Sequence, residues 1–394
     1  MKKDITDFNV RNQKVIVRCD LNVPIKDGVI TDDTRIRACI ETIGHLIGAK
    51  AKVIILSHLG RVKEEKDKEK NSLRPVATRL SELISRPVKF IPYTRGVEVE
   101  DAINSMEAGD VVMLENTRFE DLDGNKESGN DKELAHYWAS LGDIFINDAF
   151  GTIHRSHASN VGIASILPSG IGFLVKNEEE KINDVLNNPS RPFVVLLGGA
   201  KVSDKIGVIE NLVKKADYIL IGGGMPYTFY KALGYNVGLS IVDDESLDFC
   251  RNIYKEYSNK IGLPEDIVVA SSLSESANTR ITTYKNINNN EIGIDIGIST
   301  INRYRTILMN ANTIIWNGPM GMFEISKFSQ GTKKMVEILS NSKAKIVIGG
   351  GDTISALNKF RFNNNKAHIS TGGGASLEML EGKELPGLKV ISDK

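Results

Sequence analysis

The sequence has few cysteines and no excess of either charge. Its 394 residues include only 3 Cys, and 50 Lys plus Arg balance 50 Asp plus Glu, so the formal net charge is zero. Cys19, Cys39 and Cys250 form no Cys-x-x-Cys motif, which argues against a disulfide framework or a zinc site and favours a cytoplasmic protein. A neutral chain has no long-range field to attract nucleic acid or an acidic membrane surface, so we expect a small ligand.

Long apolar runs and the common nucleotide-binding motifs are absent as well. The apolar stretch 163–175 contains one proline and two glycines and is shorter than the ~20 residues of a membrane-spanning helix, so we predict no membrane segment. No G-x-x-x-x-G-K-[ST] loop occurs, and no G-x-G-x-x-G opens a helix after the first strand of either half. Any nucleotide site must therefore be of another kind.

Short runs of Val, Ile and Leu recur along the chain, and each is followed by a helix-like amphipathic stretch. Runs that are apolar throughout are typical of strands covered on both faces, as in parallel sheets flanked by helices. Nine such runs begin at Lys14, Lys52, Val111, Asp143, Phe193, Tyr218, Thr313, Lys343 and His368. At ~100–200 residues per domain, this pattern predicts two doubly wound α/β domains, whose ligands bind beyond the carboxyl ends of the strands.

A predicted helix separates the two halves of the chain. The stretch 173–188 has helical character and ends before Pro189. We therefore predict a first domain over 1–172, a connecting helix and hinge over 173–189, and a second domain that begins at residue 190.

The loops of the first half carry arginines. Four of them follow strand ends or open a predicted helix: Arg35, Arg61, Arg118 and Arg155. Guanidinium groups present planar forks to phosphate or carboxylate, so a converging set suits a small polyanion. Alternatively, each arginine is a solvated or ion-paired surface residue, which is the rule for any single charged side chain.

Other polar residues share these loops: His58, His154, His157, Asp20 and Asn22. The histidines are candidate hydrogen-bond donors to the same anion, with general acid–base catalysis as the alternative. Asp20 would accept a hydrogen bond from a hydroxyl group or orient an arginine. Alternatively, it would form a buried ion pair with Arg18.

The loops of the second half carry glycines instead. They are Gly198, Gly199, Gly222 to Gly224, Gly318, Gly321, Gly349 to Gly351 and Gly372 to Gly374. Without a Cβ atom, glycine lets backbone N–H groups approach an anion at a helix N-terminus. Glycine also ends strands for purely conformational reasons, so a single glycine-rich turn is weak evidence for an anion site. Several such turns along one sheet edge are stronger evidence.

Charged residues accompany these glycines. Lys201 and Lys205 are four apart, so we expect them on one face of a helix, where they reach a bound polyphosphate or face solvent. Asp352 would contact nucleotide phosphates or their magnesium, and it is also a candidate helix N-cap. Glu324 would accept hydrogen bonds from ribose hydroxyls, or it is a surface acid.

Nine motifs of this sequence, in the same order, resemble those of the phosphoglycerate kinases over essentially the whole chain. They are RCDLNVP (18–24), SHLGR (57–61), LENTRF (114–119), DAFGTIHRSHAS (148–159), LLGGAKVSDKI (196–206), ILIGGGM (219–225), WNGPMGMFE (316–324), VIGGGDT (347–353) and STGGGASLEMLEGKELPGL (370–388). One departure is Ile298, which follows Gly297 where family members usually have proline.

The resemblance implies two Rossmann-like domains that face each other across a cleft, with 3-phosphoglycerate on the first and ADP or ATP with Mg²⁺ on the second. The implied acid-substrate site comprises Asp20, Asn22, Arg35, His58, Arg61, Arg118 and Arg155. The implied nucleotide site comprises Lys201, Lys205, Gly293, Glu324, Gly350, Gly351, Asp352 and Thr353. Asp352 would act on Mg²⁺ through the nucleotide phosphates. The second domain would end at residue 379, and residues 380–394 would return to the first.

The implied glycolytic reaction moves a phosphoryl group between 1,3-bisphosphoglycerate and ADP. Both acceptor groups are already ionised near neutral pH, so no general base is required, and Arg35, Lys201 and Lys205 are the candidate catalytic charges. We expect a monomer. The alternatives are an NAD-dependent dehydrogenase, which lacks its fingerprint here, and a non-enzymatic nucleotide-binding protein, which would not need the arginine set.

Overall fold

The computed structural model describes all 394 residues. They form two compact units, one comprising Met1–Glu179 with Glu384–Lys394 and the other comprising Glu180–Lys383. None of the helices combines the length and the apolar character needed to cross a lipid bilayer. The hinge assigned to 173–189 remains a prediction.

The first unit is built on a six-stranded parallel sheet with the strand order β5-β6-β4-β1-β7-β8. Its strands, including the small antiparallel hairpin β2-β3, are β1 (Lys14–Cys19), β2 (Ile25–Lys26), β3 (Val29–Ile30), β4 (Lys52–Leu56), β5 (Val88–Ile91), β6 (Val111–Leu114), β7 (Ile144–Asp148) and β8 (Ser169–Ile171). The four apolar runs of the first half are the four central strands. The edge strands β5 and β8 were not predicted, because β5 is largely unburied and β8 has only three residues, Ser169 and Gly170 among them.

Helices cover both faces of this sheet. They are α1 (Thr34–Ala38), α2 (Ile40–Gly48), α3 (Asp67–Lys70), α4 (Arg74–Ile84), α5 (Val97–Asn104), α6 (Lys132–Ser140) and α7 (Phe173–Asn187), the last of which extends into the second unit. Val15 and Val17 of β1 belong to one apolar cluster and Ile16 to another. Successive side chains of a strand point to opposite faces, so two covered faces explain why the run is apolar throughout.

The second unit contains a second six-stranded parallel sheet, with the strand order β11-β10-β9-β15-β16-β17. The strands are β9 (Phe193–Leu197), β10 (Tyr218–Ile221), β11 (Ile261–Gly262), β12 (Asp266–Ala270), β13 (Thr279–Thr283), β14 (Ile292–Ile296), β15 (Thr313–Asn317), β16 (Lys345–Gly349) and β17 (Ala367–Ile369). Strands β13-β12-β14 form a separate antiparallel sheet. The predicted α/β class with parallel sheets is therefore confirmed, and the antiparallel sheet is an addition to it.

The helices of the second unit surround its parallel sheet. They are α8 (Ile206–Leu212), α9 (Met225–Ala232), α10 (Leu247–Tyr257), α11 (Ile298–Met309), α12 (Gln330–Ser340), α13 (Gly351–Lys359) and α14 (Gly374–Leu380). Trp316 and Tyr304, both fully buried, are among the largest side chains of its main apolar cluster.

The last residues of the chain belong to the first unit. The helix α15 (Pro386–Lys389) lies against the loop after β7, where the Gly387 N–H donates to the Ile153 carbonyl oxygen at 2.9 Å. Lys394 Nζ donates to Asp4 Oδ2 at 2.9 Å. The chain thus begins and ends in the same unit.

Candidate active site

The predicted polar residues of the first unit gather at one edge of its sheet. Asp20 follows β1, His58 follows β4 and Arg118 follows β6, while Arg155 lies in the loop after β7. These four strands are neighbours and run parallel, so their carboxyl ends share one edge. Burial, followed by the charges of Arg18 and Arg118 and a smaller effect of Arg155, lowers the pKa of His58 well below its usual value. The ring is therefore neutral near pH 7 and lies among cations.

Asp20 is paired with Arg35. The Nη1 group of Arg35 donates to Asp20 Oδ2 at 2.5 Å, and Asp20 is almost fully buried. Of the alternatives for Asp20, the structure therefore favours orientation of an arginine, whereas Arg18 lies beside Glu127. A Cβ atom on Gly151 would lie 2.2 Å from Asp20 Oδ2, so only glycine leaves room for this pair.

Asn22 connects two loops of the site. Its Oδ1 accepts a hydrogen bond from the Gly60 N–H at 2.8 Å, next to the exposed Arg61. Gly60 has φ +60°, and a Cβ atom there would lie 2.3 Å from Asn71 Oδ1. The glycine of the SHLGR motif is therefore required by backbone conformation and by packing.

The remaining two arginines differ in exposure. Arg118 is half-buried, burial lowers its pKa, and its Nε is buried without a hydrogen-bond partner. Such an unpaired donor is costly unless a ligand satisfies it. Arg155 is exposed, and its Nε donates to His154 Nε2 at 3.2 Å. Burial and the charge of Arg155 lower the pKa of His154 to about 4.

Several glycines of the second unit let its loops pack against one another. A Cβ atom on Gly198 would lie 2.0 Å from the Pro319 carbonyl oxygen. The Gly199 N–H donates to the same oxygen at 3.1 Å, and the Gly224 N–H donates to the Gly199 carbonyl oxygen at 2.8 Å. These amides are satisfied within the protein, so loop packing explains the glycines better than anion binding does.

The N-terminus of α13 lies directly after β16. Gly350 is the N-cap and has φ +96°, Gly351 is the first helical residue, and Asp352 is the second. Asp352 is exposed and makes no capping hydrogen bond, so the N-cap interpretation is wrong. Thr353 is fully buried, and its hydroxyl oxygen accepts the Gly318 N–H at 2.7 Å, which ties α13 to the loop after β15.

A cavity of about 410 Å³ opens beside these loops. Three residues of the predicted nucleotide site line it, namely Gly293, Glu324 and Asp352. Its apolar wall is formed by Leu239, Ile241, Leu273, Ile292 and Met322. An apolar wall with a few polar groups at its edge is typical of sites for flat organic ligands such as nucleosides.

The two predicted lysines lie near the cavity but do not line it. Lys201 precedes the 3₁₀ turn Ser203–Lys205, and α8 begins only after that turn. The expectation that the two lysines lie on one face of a helix is therefore wrong. Burial lowers the pKa of Lys205, while the nearby carboxylates of Glu381 and Asp352 oppose this effect. Lys205 therefore lies within electrostatic range of Asp352.

Two parts of this arrangement have no counterpart among the predicted residues. The apolar cavity wall comes from loops and strands without a shared motif. The buried Glu127, beside Arg18 and His157, is one of several acids in a polar stretch of sequence, and nothing local distinguishes it from the others. No group of three or more His, Cys, Asp or Glu side chains is arranged to hold a metal ion.

Two α/β units, one with arginines at a sheet edge and the other with a nucleoside-sized cavity, are the features expected of a phosphotransferase. The sequence model of the family "Phosphoglycerate kinase" matches residues 5–383. The chain belongs to the phosphoglycerate kinase family.

Curated relatives and solved structures agree with this assignment. Phosphoglycerate kinase of Enterococcus faecalis is 55% identical over 395 residues, covering 100% of both chains, and that of Lacticaseibacillus casei is 54% identical over 99% of both. The solved phosphoglycerate kinase of Coxiella burnetii superimposes with a TM-score of 0.89 at 40% identity, over 99% of this chain and 98% of the other. That of Pyrococcus horikoshii gives 0.84 at 33% identity, over 98% of both.

Proposed function

We propose that this chain catalyses the glycolytic, reversible transfer of a phosphoryl group between 1,3-bisphosphoglycerate and ADP, which yields 3-phosphoglycerate and ATP. The observation that carries the proposal is the cluster of Arg118, Arg155 and the neutral His58 at one sheet edge, next to the Asp20–Arg35 pair. A small polyanion fits such a cluster, whereas a dehydrogenase or a nucleotide-binding scaffold has no use for it.

The acid substrate would bind through both of its anionic ends. Arg61, Arg118 and Arg155 hold the phosphate that is not transferred, and the unpaired Nε of Arg118 supports this role. Asp20 and Asn22 position the reacting end, Asp20 by orienting Arg35. The paired and buried surroundings keep these groups in place before the substrate arrives, which is the condition for electrostatic catalysis.

The transfer itself needs charge stabilisation rather than proton transfer. The attacking carboxylate or diphosphate oxygen is already ionised, so the barrier comes from repulsion among anions and from alignment of the reacting oxygens. Arg35 and Lys205 flank the transferring phosphoryl group, and Lys201 neutralises nucleotide oxygens. Burial of Lys205 supports its role, because a partly desolvated cation interacts more strongly with a phosphate.

The nucleotide would bind to the second unit. Its base lies against the apolar wall of the cavity, close to Gly293, and Glu324 accepts hydrogen bonds from the ribose. Its phosphates lie at the start of α13, where the N–H groups of Gly351 and Asp352 and the helix dipole favour anions. Gly350 and the buried Thr353 position this start, through the φ of the former and the hydroxyl of the latter.

Asp352 would hold Mg²⁺ together with the nucleotide phosphates. Mg²⁺ in proteins is commonly bound by one or two carboxylates plus substrate phosphates and water, and Asp352 offers one exposed carboxylate at the edge of the cavity. The bound ion reduces the negative charge of the phosphate oxygens.

The two substrates would be brought together by closure of the units about the hinge at 173–189. The acid-substrate residues and the nucleotide residues belong to different units, so transfer requires that their ligands meet and that water is excluded.

The enzyme acts as a cytoplasmic monomer.

A coupled assay with 3-phosphoglycerate and ATP tests the proposal. The purified chain is supplied with Mg²⁺ and an excess of a dehydrogenase that consumes 1,3-bisphosphoglycerate, and NADH oxidation is followed. We expect turnover that depends on both substrates. The dehydrogenase alternative would be favoured if the coupled assay shows no turnover and the chain alone reduces NAD⁺ in the presence of an organic acid.

A further inference from the structure

Glu127 is a fully buried carboxylate beside the basic cluster of the first unit, and the proposed reaction gives it no role. Ser159 supplies two of its donors: the backbone N–H donates to Oε2 at 2.9 Å and the hydroxyl to Oε1 at 2.5 Å. The Nδ1 atom of His157 lies 3.6 Å from Oε1. A buried charge is tolerated only where hydrogen bonds and counter-charges compensate it, so this arrangement is specific for a carboxylate.

The counter-charge of Glu127 is Arg18. The Arg18 side chain is fully buried, and its Nη2 lies 3.9 Å from Glu127 Oε1. Its Nε donates to Ser159 Oγ at 2.8 Å, and that hydroxyl donates to Glu127 in turn. The other acid near Arg18 is Asp20, which is engaged with Arg35. Glu127 is therefore the acid that holds the buried guanidinium in place.

Arg18 extends the arrangement to His58. Its Nη2 lies 3.3 Å from His58 Nδ1. A guanidinium group can only donate hydrogen bonds, so Nδ1 must be the unprotonated acceptor, and the proton of a neutral ring is then on Nε2. The low pKa of His58, caused by burial and by the charges of Arg18 and Arg118, agrees with a neutral ring.

We propose that Glu127 is a positioning residue of the acid-substrate site, which acts through Ser159 and Arg18 to fix His58 as a neutral donor whose Nε2–H binds an oxygen of the acid substrate. The inference rests on the proposed function of this site. Glu127 itself does not contact the substrate. Its loss would remove the counter-charge of Arg18 and leave the guanidinium held only by Ser159 and the Cys19 carbonyl oxygen. The Nη2 group could then move from His58 Nδ1 and allow the ring to change tautomer, which weakens binding of the acid but leaves the nucleotide site of the other unit intact.

Steady-state kinetics of three variants test the proposal. Glu127→Gln removes the charge, Ser159→Ala removes the connection to Arg18, and Glu120→Gln is the matched control. Glu120 is also buried and pairs with Arg95 at 3.0 Å. We expect Glu127→Gln to raise the KM for 3-phosphoglycerate by about tenfold, because the substrate then loses one hydrogen bond to a charged group. The KM for ATP should be unchanged. Ser159→Ala should give a smaller rise, and the control none.

The ¹⁵N signals of the His58 ring give a readout that a merely structural role would not change. The signals are assigned by their loss in His58→Gln. We expect the wild-type ring to carry its proton on Nε2 and to stay neutral at about pH 6, since the charged groups that act on it are Arg18, Arg118, Arg155 and Glu127. In Glu127→Gln both nitrogens should show mixed protonation.

The possible results separate this inference from the proposed function. Unchanged His58 signals in Glu127→Gln, or equal rises of both KM values, would overturn the positioning role. If Glu127→Gln does not fold, Ser159→Ala decides by the same two measurements. A wild-type chain that does not turn over 3-phosphoglycerate would contradict the proposed function, while the His58 signals would still report on the effect of Glu127.

Discussion

Arg35 donates a hydrogen bond to Asp20, 15 residues earlier in the chain, through Nη1 and Oδ2 at 2.5 Å. About a third of the Arg35 side chain stays exposed (35%), while that of Asp20 is nearly buried (7%). A buried acid that holds a partly exposed arginine fixes the direction of the guanidinium group but leaves donors for a ligand. The pair therefore presents an oriented guanidinium group to a ligand on the first unit.

Arg35→Ala should lower kcat far more than it weakens nucleotide binding. The variant removes a charge proposed to stabilise the transferring group, whereas the nucleotide residues belong to the second unit. Measured kcat and KM values for ATP check this. Arg37→Ala is the control, because Arg37 lies on the same helix but pairs with Asp33 at 2.8 Å. Equal losses in kcat and in ATP affinity would exclude the assignment.

Lys205→Ala should reduce turnover by about 100-fold or more, the usual effect of removing one preorganised charge donor. The partial burial of Lys205 strengthens its interaction with phosphate oxygens. The exposed Lys214 offers a control in the same unit, and Lys214→Ala should retain the wild-type rate. The coupled assay measures both variants, and near-normal turnover of Lys205→Ala would remove it from the mechanism.

Small-angle scattering should show a smaller radius of gyration only when both substrates are present. Each ligand alone occupies one unit, so neither can bridge the two. The experiment compares the ligand-free enzyme, each single complex and the complex with 3-phosphoglycerate and a non-hydrolysable ATP analogue. Identical profiles in all four states would argue against closure.

The central strands of both parallel sheets were predictable because each of them is covered on two faces. That burial makes β1 or β9 apolar throughout, which is visible in sequence. Of the antiparallel sheet, β13 escaped prediction because it is mostly exposed and therefore polar, with only Thr282 buried. The strands β12 and β14 are mostly buried but were missed as well, because their short runs are bounded or interrupted by Asp266, Gly293 and Asp295. A pattern-based argument detects continuous apolar runs, so it misses strands that are exposed and strands whose apolar runs are interrupted.

The gathering of polar residues at one sheet edge was predictable from their positions after strands, but the partner of each residue was not. Asp20 is two residues from Arg18 in sequence, yet it pairs with Arg35, because the backbone of α1 brings Arg35 to it. Likewise, Glu127 and Ser159 meet only because the loop before α6 packs against the loop after β7. Which residues pair with one another depends on tertiary packing, which local sequence does not encode.

Glu127→Gln should reduce the stability of the first unit, and the reduction should shrink in acid. Burial alone would raise the pKa of Glu127, but the nearby His157 ring, the charge of Arg18 and the hydrogen bond from Ser159 lower it to about 2. A depressed pKa stabilises the folded state above the ordinary pKa of 4.5 and loses that effect as pH falls towards 2. The shift corresponds to about 3 kcal/mol near pH 7 and about 1 kcal/mol near pH 3.

Urea unfolding of wild type and Glu127→Gln at the two pH values measures this difference. Glu120→Gln again serves as the control for a buried glutamate outside the cluster. A stability difference that does not depend on pH would mean that the carboxylate charge is not what stabilises the fold.

Gly293→Ala should both destabilise the second unit and weaken nucleotide binding. A Cβ atom at this position would lie 2.1 Å from the ring of Tyr227, which is itself buried, so the ring or β14 must move. Overpacking of this kind costs roughly 1–3 kcal/mol. Because Gly293 lines the cavity, the same movement should raise the KM for ATP while the KM for 3-phosphoglycerate stays constant.

Gly44→Ala is the matched control: Gly44 lies within α2 with nothing near its Cβ position, so this change should be neutral or stabilising by up to about 1 kcal/mol. Thermal unfolding and the coupled assay measure both variants, and a Gly293→Ala enzyme with wild-type stability and ATP affinity would show that the Tyr227 ring can yield without cost.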